Sequence, residues 1–112
     1  MPDTFVTVPK PIVDERSSFS ATSYFRSGES ASAPTTAHYR IDCLATGTTI
    51  VDWTSLSAAV SITIPVTSAN NKIQGGNRLE RKQMTVAADK GTTTETRDVV
   101  TWQVRNIGGF NE

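Results

Sequence analysis

The stretch Val60-Ser61-Ile62-Thr63-Ile64-Pro65-Val66 alternates apolar and polar side chains. In an extended strand successive side chains point to opposite faces, so Val60, Ile62, Ile64 and Val66 share one face and Ser61 and Thr63 the other. Pro65 cannot donate a ladder hydrogen bond and therefore belongs on an edge or at the strand's end. A period of two, with one side apolar, is the pattern of a half-buried strand.

The same period recurs on both sides of this stretch. Met84, Val86 and Ala88 share a face, whereas the residues just upstream, Leu79 to Gln83, are polar enough to be expected in solvent. Val100, Trp102 and Val104 are in phase and expected inside. Tyr39, Ile41 and Cys43 alternate with Arg40 and Asp42, and Phe19, Ala21, Ser23 and Phe25 form a weaker alternation. Ala45-Thr46-Gly47-Thr48 reads as a tight turn into Thr49–Trp53. Asp89-Lys90-Gly91 reads as a second turn, with Gly91 the candidate for positive φ. Seven strands are expected, at about 4–8, 18–26, 37–44, 48–54, 59–66, 79–88 and 96–106. No segment carries a sustained 3.6-residue apolar stripe. A short helical turn is expected only within Asn70–Arg81, where Gly75-Gly76 argues for a loop.

Composition agrees with this all-β reading. Roughly a quarter of the 112 residues are Ser or Thr, which favours strands and turns. Eleven acidic residues balance eleven basic ones. No broad field draws in nucleic acid or an anionic membrane, so neither is expected as a partner. Cys43 is the only cysteine, so an intramolecular disulfide is impossible. Met1-Pro2-Asp3-Thr4-Phe5 has neither a basic nor an apolar leader region, and no stretch is long and apolar enough to span a bilayer; synthesis in the cytoplasm is expected.

The residues that carry chemistry do not assemble into a site. His38 is the sole histidine, and its odd spacing from Cys43 puts the two on opposite faces of one strand. One His and one Cys cannot build a zinc site, and scattered carboxylates do not make a calcium loop. Gln74-Gly75-Gly76-Asn77-Arg78 lacks the spacing of a phosphate loop. Arg78, Arg81 and Lys82, with Glu80 among them, form the densest basic cluster, expected as a solvent-facing strand end or as an edge guarded against unwanted pairing. Trp53 is expected either inside with Val51 or over a sheet edge. No catalytic residue, cofactor or metal is expected, and the chain is not expected to be an enzyme.

The organisation expected is an extended N-terminal arm over 1–17, a sandwich over 18–106 and a Gly-rich tail over 107–112. Polar, Pro-punctuated arms suit contact with other chains by strand addition. The candidate partner-binding residues are Phe5, Val6, Val8, Ile12 and Val13 in the arm, with Ile107 and Phe110 in the tail.

Three segments carry a family resemblance: Ala37–Thr54, with Tyr39-Arg40-Ile41-Asp42 and Asp52-Trp53-Thr54; Val60–Val66; and Glu80–Gly91. Together with Asp98–Ile107, they resemble small immunoglobulin-like proteins encoded among the structural genes of tailed bacteriophages. The resemblance covers most of residues 19–107. It implies an immunoglobulin/fibronectin III-like β-sandwich of about seven strands, without the Cys…Trp…Cys signature of antibody domains. It also implies a non-enzymatic virion role as a head decoration, neck or tail-associated protein. Its partners would then be capsid, portal or tail subunits in multiple copies. A small barrel is the rival all-β architecture. A bacterial adhesion or carbohydrate-binding module is the rival function.

Overall fold

The alternating segments form strands in a computed structural model of the chain, which describes residues 2–27, 30–72, 78–93 and 95–105. In chain order the strands are β1 (Pro2–Thr7), β2 (Ile12–Asp14), β3 (Phe19–Ser27), β4 (Ser30–Ala31), β5 (Ala37–Cys43), β6 (Thr48–Leu56), β7 (Ser61–Val66), β8 (Leu79–Ala88) and β9 (Thr96–Arg105). A 3-10 turn, Ser68–Asn71, follows β7; the Thr67 hydroxyl and the Asn70 side chain cap it reciprocally.

Two sheets result. In the smaller one β1 lies on one side of β3, and β7 and the short β4 share the other. The larger runs β2-β9-β8-β5-β6, antiparallel except for the parallel pairing of β2 with β9. Pro65 sits near the end of edge strand β7, where a missing donor costs no ladder bond. Gly47 and Gly91 both have positive φ, at 70° and 84°, in the turns after β5 and β8.

The inner faces supply one core. Val6, Ala21, Phe25, Ile64 and Val66 come from the smaller sheet. Ala37, Ile41, Met84, Val86, Ala88, Trp102 and Val104 come from the larger. Trp102 is sealed and meets Phe19 edge-on, with ring centroids 5.3 Å apart. The fold is an all-β sandwich with mixed sheets.

Two expectations are corrected. Residues 2–14 do not form an extended arm. β1 pairs along its whole length with β3, and β2 pairs with β9. Val6 joins the core, and Val8 and Val13 pack against it. Pro9 and Pro11 fall between the two strands, where the chain leaves one sheet for the other and needs no ladder donors. Ile107 and Phe110 lie outside the described residues.

The second correction concerns the start of β8. Glu80 and Lys82 are fully buried, not solvent-facing. β8 is central, with β5 on one side and β9 on the other. Strand parity then places Glu80 and Lys82 on the same inner face as Met84, Val86 and Ala88. Lys82 Nζ donates to Glu80 Oε1 and to the carbonyl of Lys72, both at 3.0 Å. The Cys43 thiol lies 3.6 Å from the same Glu80 oxygen. Burial removes both charges from water, so each is tolerated only because the other is present.

Removing one member should therefore cost more than removing both. Lys82→Met alone is expected to lose about 3–5 kcal/mol, and Glu80→Met/Lys82→Met together far less. Urea unfolding followed by Trp102 fluorescence measures this. A single substitution costing no more than the double would show that the pair is not coupled.

Candidate functional site

The two sheets have outer faces that place the candidate partner-binding residues very differently. Val6, Val8 and Val13 belong to the interior, whereas Phe5 and Ile12 are exposed. Each exposed residue has an apolar neighbour. Phe5 is the cross-strand partner of Tyr24 and, with Arg26, lines a notch of about 230 Å³ on the smaller sheet. Ile12 faces Leu79 across β9 in a hollow of about 430 Å³ completed by Arg78 and Arg105. A second hollow, about 510 Å³, adjoins it through Ile12 and Arg105 and reaches Lys10, Pro9 and Phe19. Phe5, Ile12, Tyr24 and Leu79 are 46–49% exposed, so these side chains offer apolar area to another molecule.

The opposite end of the larger sheet's outer face carries a different cluster. Arg40 on β5 and Arg97 on β9 approach the Trp53 ring at 5.7 and 5.1 Å, and Lys90 approaches at 5.0 Å. Strands β5 and β9 flank β8, so the indole reaches from edge strand β6 across the open face of the sheet. It neither enters the core nor stops at the edge. Two bulges in the β5–β6 pairing accompany this placement. Ala87, although on the outer face, is sealed between its cross-strand partners His38 and Arg97.

Ion pairs balance most of these cations. Arg40 makes two bonds to Asp42, at 2.7 and 3.0 Å, and this contact raises the guanidinium above its usual pKa. Glu95 lies below the usual carboxylate range because it accepts from the Gly91 N–H at 2.7 Å and, secondarily, from Arg97.

A third polar cluster is internal. Trp102 Nε1 donates to Asn71 Oδ1 at 2.8 Å, and Asn71 Nδ2 donates to the Ser17 carbonyl at 2.6 Å. The Arg16 N–H, at a residue with φ 61°, donates to the Asn71 carbonyl at 3.0 Å. Asn71, fully buried, thus ties the β2–β3 crossover to β9 through one side chain. This is structural work: it satisfies the indole N–H and backbone groups that burial would otherwise orphan.

The sequence-level tests for chemistry resolve geometrically. His38 and Cys43 face opposite ways, His38 outward and Cys43 inward, as their spacing predicts. His38 Nε2 does lie 3.2 Å from Ser55 Oγ. Its Nδ1 has no hydrogen-bond partner among the described residues, so no third group orients the ring as nucleophile activation requires. Among the described residues no cluster of three or more His, Cys, Asp or Glu could hold a metal ion. No described helix is long and apolar enough to cross a membrane.

No family model, curated protein or solved structure matches the chain. The Ile12–Leu79 hollow could not be found from local sequence, because its two apolar residues come from strands at opposite ends of the chain order. The inward turn of Glu80 and Lys82 left a readable signal. Extending the parity of Met84 and Val86 by two further steps reaches both residues.

Glu95 gives a pH-dependent test. Its carboxyl is lowered in the fold, so its contribution to stability is present above the unfolded-chain pKa and is lost as pH falls through the folded value. An NMR titration is expected to place the Glu95 midpoint below that of an ordinary glutamate. Arg97→Gln should move it only part of the way back, because the Gly91 bond remains. A midpoint in the usual range in the unaltered chain would remove the Gly91 contact from the account.

Proposed function

We propose that this chain is an immunoglobulin/fibronectin III-like module serving as a non-enzymatic structural protein of a tailed-bacteriophage virion. Its place would be head decoration, neck or tail, and its work protein–protein contact. The strand order supports the fold assignment. The first strand pairs with β3, then the chain changes sheets so that β2 lies parallel to the last strand. The two sheets, β1-β3-β7 and β2-β9-β8-β5-β6, correspond in immunoglobulin lettering to A-B-E and A′-G-F-C-C′.

The observation that carries the binding role is the exposure of apolar residues on the N-terminal strands. Phe5 beside Tyr24 and Ile12 beside Leu79 each stand next to arginines, the composition of a protein-contact surface. The virion assignment itself rests on the segmental resemblance of Ala37–Thr54, Val60–Val66 and Glu80–Gly91. The carbohydrate-binding alternative rests on Trp53, whose ring is already approached by three cations and so has less face to offer a sugar.

Purified phage particles from the host of origin provide the test. Peptides of this chain are expected in their mass spectra at a fixed ratio to the major capsid or tail subunit. Their absence from intact, infectious particles would sink the virion role.

A further inference from the structure

Strand β2 is the outer strand of the larger sheet, and among the described residues only one of its edges is used. Gln103 N–H donates to the Pro11 carbonyl at 2.8 Å, and Glu15 N–H donates to the Arg105 carbonyl at 2.9 Å. In a parallel ladder, alternate residues of one strand serve a given neighbour, so residues 11, 13 and 15 face β9. The N–H and C=O of Ile12 therefore face away from the sheet, as does the N–H of Asp14. The Asp14 carbonyl is taken by Ser17 N–H at 3.1 Å, which leaves Ile12 as the open rung.

The other sheet edges differ. On β1, the Val6 N–H is met by Asp98 Oδ2 at 2.9 Å. Edge strand β7 contains Pro65, and β6 is bulged twice. Each device discourages further pairing. β2 has no proline, bulge or side-chain cap on its outer edge, and its shortness confines any further pairing to one rung. Its exposed Ile12 side chain instead opens onto the paired hollows that share Ile12 and Arg105.

Charge selects the occupant. Lys10 and Arg78 line the hollows, Arg105 lies between them, and Arg81 projects from the same sheet face. Among the described residues Asp14 is the one lining carboxylate, and it is held by Arg105 at 2.6 Å. The rim is therefore cationic although the chain as a whole is neutral.

We propose that β2 and the Ile12–Leu79 hollow form an acceptor site for an extended acidic segment of a partner protein. Such a segment adds a strand at Ile12, seats one apolar side chain against Leu79 and sets its carboxylates against Lys10 and Arg78. The inference deepens the protein-contact role proposed above by stating the chemistry of the partner. It also reverses the expected direction of strand addition: the N-terminal strands receive a segment and do not donate one.

The probe is a fluorescein-labelled peptide of alternating glutamate and valine, compared by anisotropy with its lysine–valine counterpart on the full chain. The acidic peptide is expected to bind at least about tenfold more tightly and to weaken as salt rises. Ile12→Pro removes the outward N–H together with the Ile12 side chain that walls the hollows, and Arg78→Glu reverses one rim charge. Each is expected to weaken binding about tenfold, Arg78→Glu with the melting temperature unchanged. Equal binding of the two peptides, no binding of either, or full binding by Ile12→Pro would overturn the proposal. So would displacement of the acidic peptide by self-association of the chain at this face. The assay needs no particles, so absence of the protein from virions sinks the virion role without touching this result, and the reverse also holds.

Discussion

An ammonium group sealed from water is the constraint around which the larger sheet is arranged. Lys82 is fully buried in the central strand, opposite Trp102 on β9 and Cys43 on β5. Its proton donors must be met inside, and they are met by Glu80 and the Lys72 carbonyl. That requirement fixes the phase of β8, because sliding it by one residue would drive both charges outward and Arg81 inward. It also fixes where the chain emerges from the 3-10 turn, since Lys72 has to present its carbonyl to the same site. A pair of this kind adds little net stability compared with an apolar filling, but it penalises a one-residue slip of the register.

Next to this pair, Asn71 organises the neighbouring end of the interior. One carboxamide accepts from the Trp102 indole and donates to Ser17, and its backbone carbonyl takes the Arg16 N–H. These bonds hold the crossover between β2 and β3 against β9. Because β2 is only three residues long, this anchoring adds to the short ladder that it makes with β9. The open rung at Ile12 is thus followed by residues tied to β9 through Asn71. A preordered strand loses less entropy when a segment pairs with it.

The strands were legible because one face of each is buried, which writes a period of two into the sequence. Residues 79–88 and 37–44 can be marked almost to the residue, since Met84–Ala88 and Tyr39–Cys43 alternate cleanly. β2 was not legible. Three residues just after Pro11, paired in parallel with the last strand, leave no local trace. The charges of Glu80 and Lys82 concealed their parity, because a charged residue argues for solvent until its partner is known. Trp53 was ambiguous for a related reason: bulges break the alternation of β6, so its face cannot be counted from Val51. The exposed hollows depend on pairings between distant segments, and only the three-dimensional register brings Ile12 and Leu79 together.

The contact between Val6 and Asp98 has a consequence in time as well as in space. Asp98 and Thr96, on the last strand, bond to Val6 and Thr4 on the first. During synthesis, the first strand leaves the ribosome long before the residues that close its edge exist. Until β9 emerges and docks, the outward Val6 N–H of β1 lacks its Asp98 acceptor, and β8 lacks one of its two neighbours. Completion of the sandwich is thus a late, long-range event, of the kind that makes β-rich domains slow to fold. The same two bonds act as a latch that reports the arrival of the final strand.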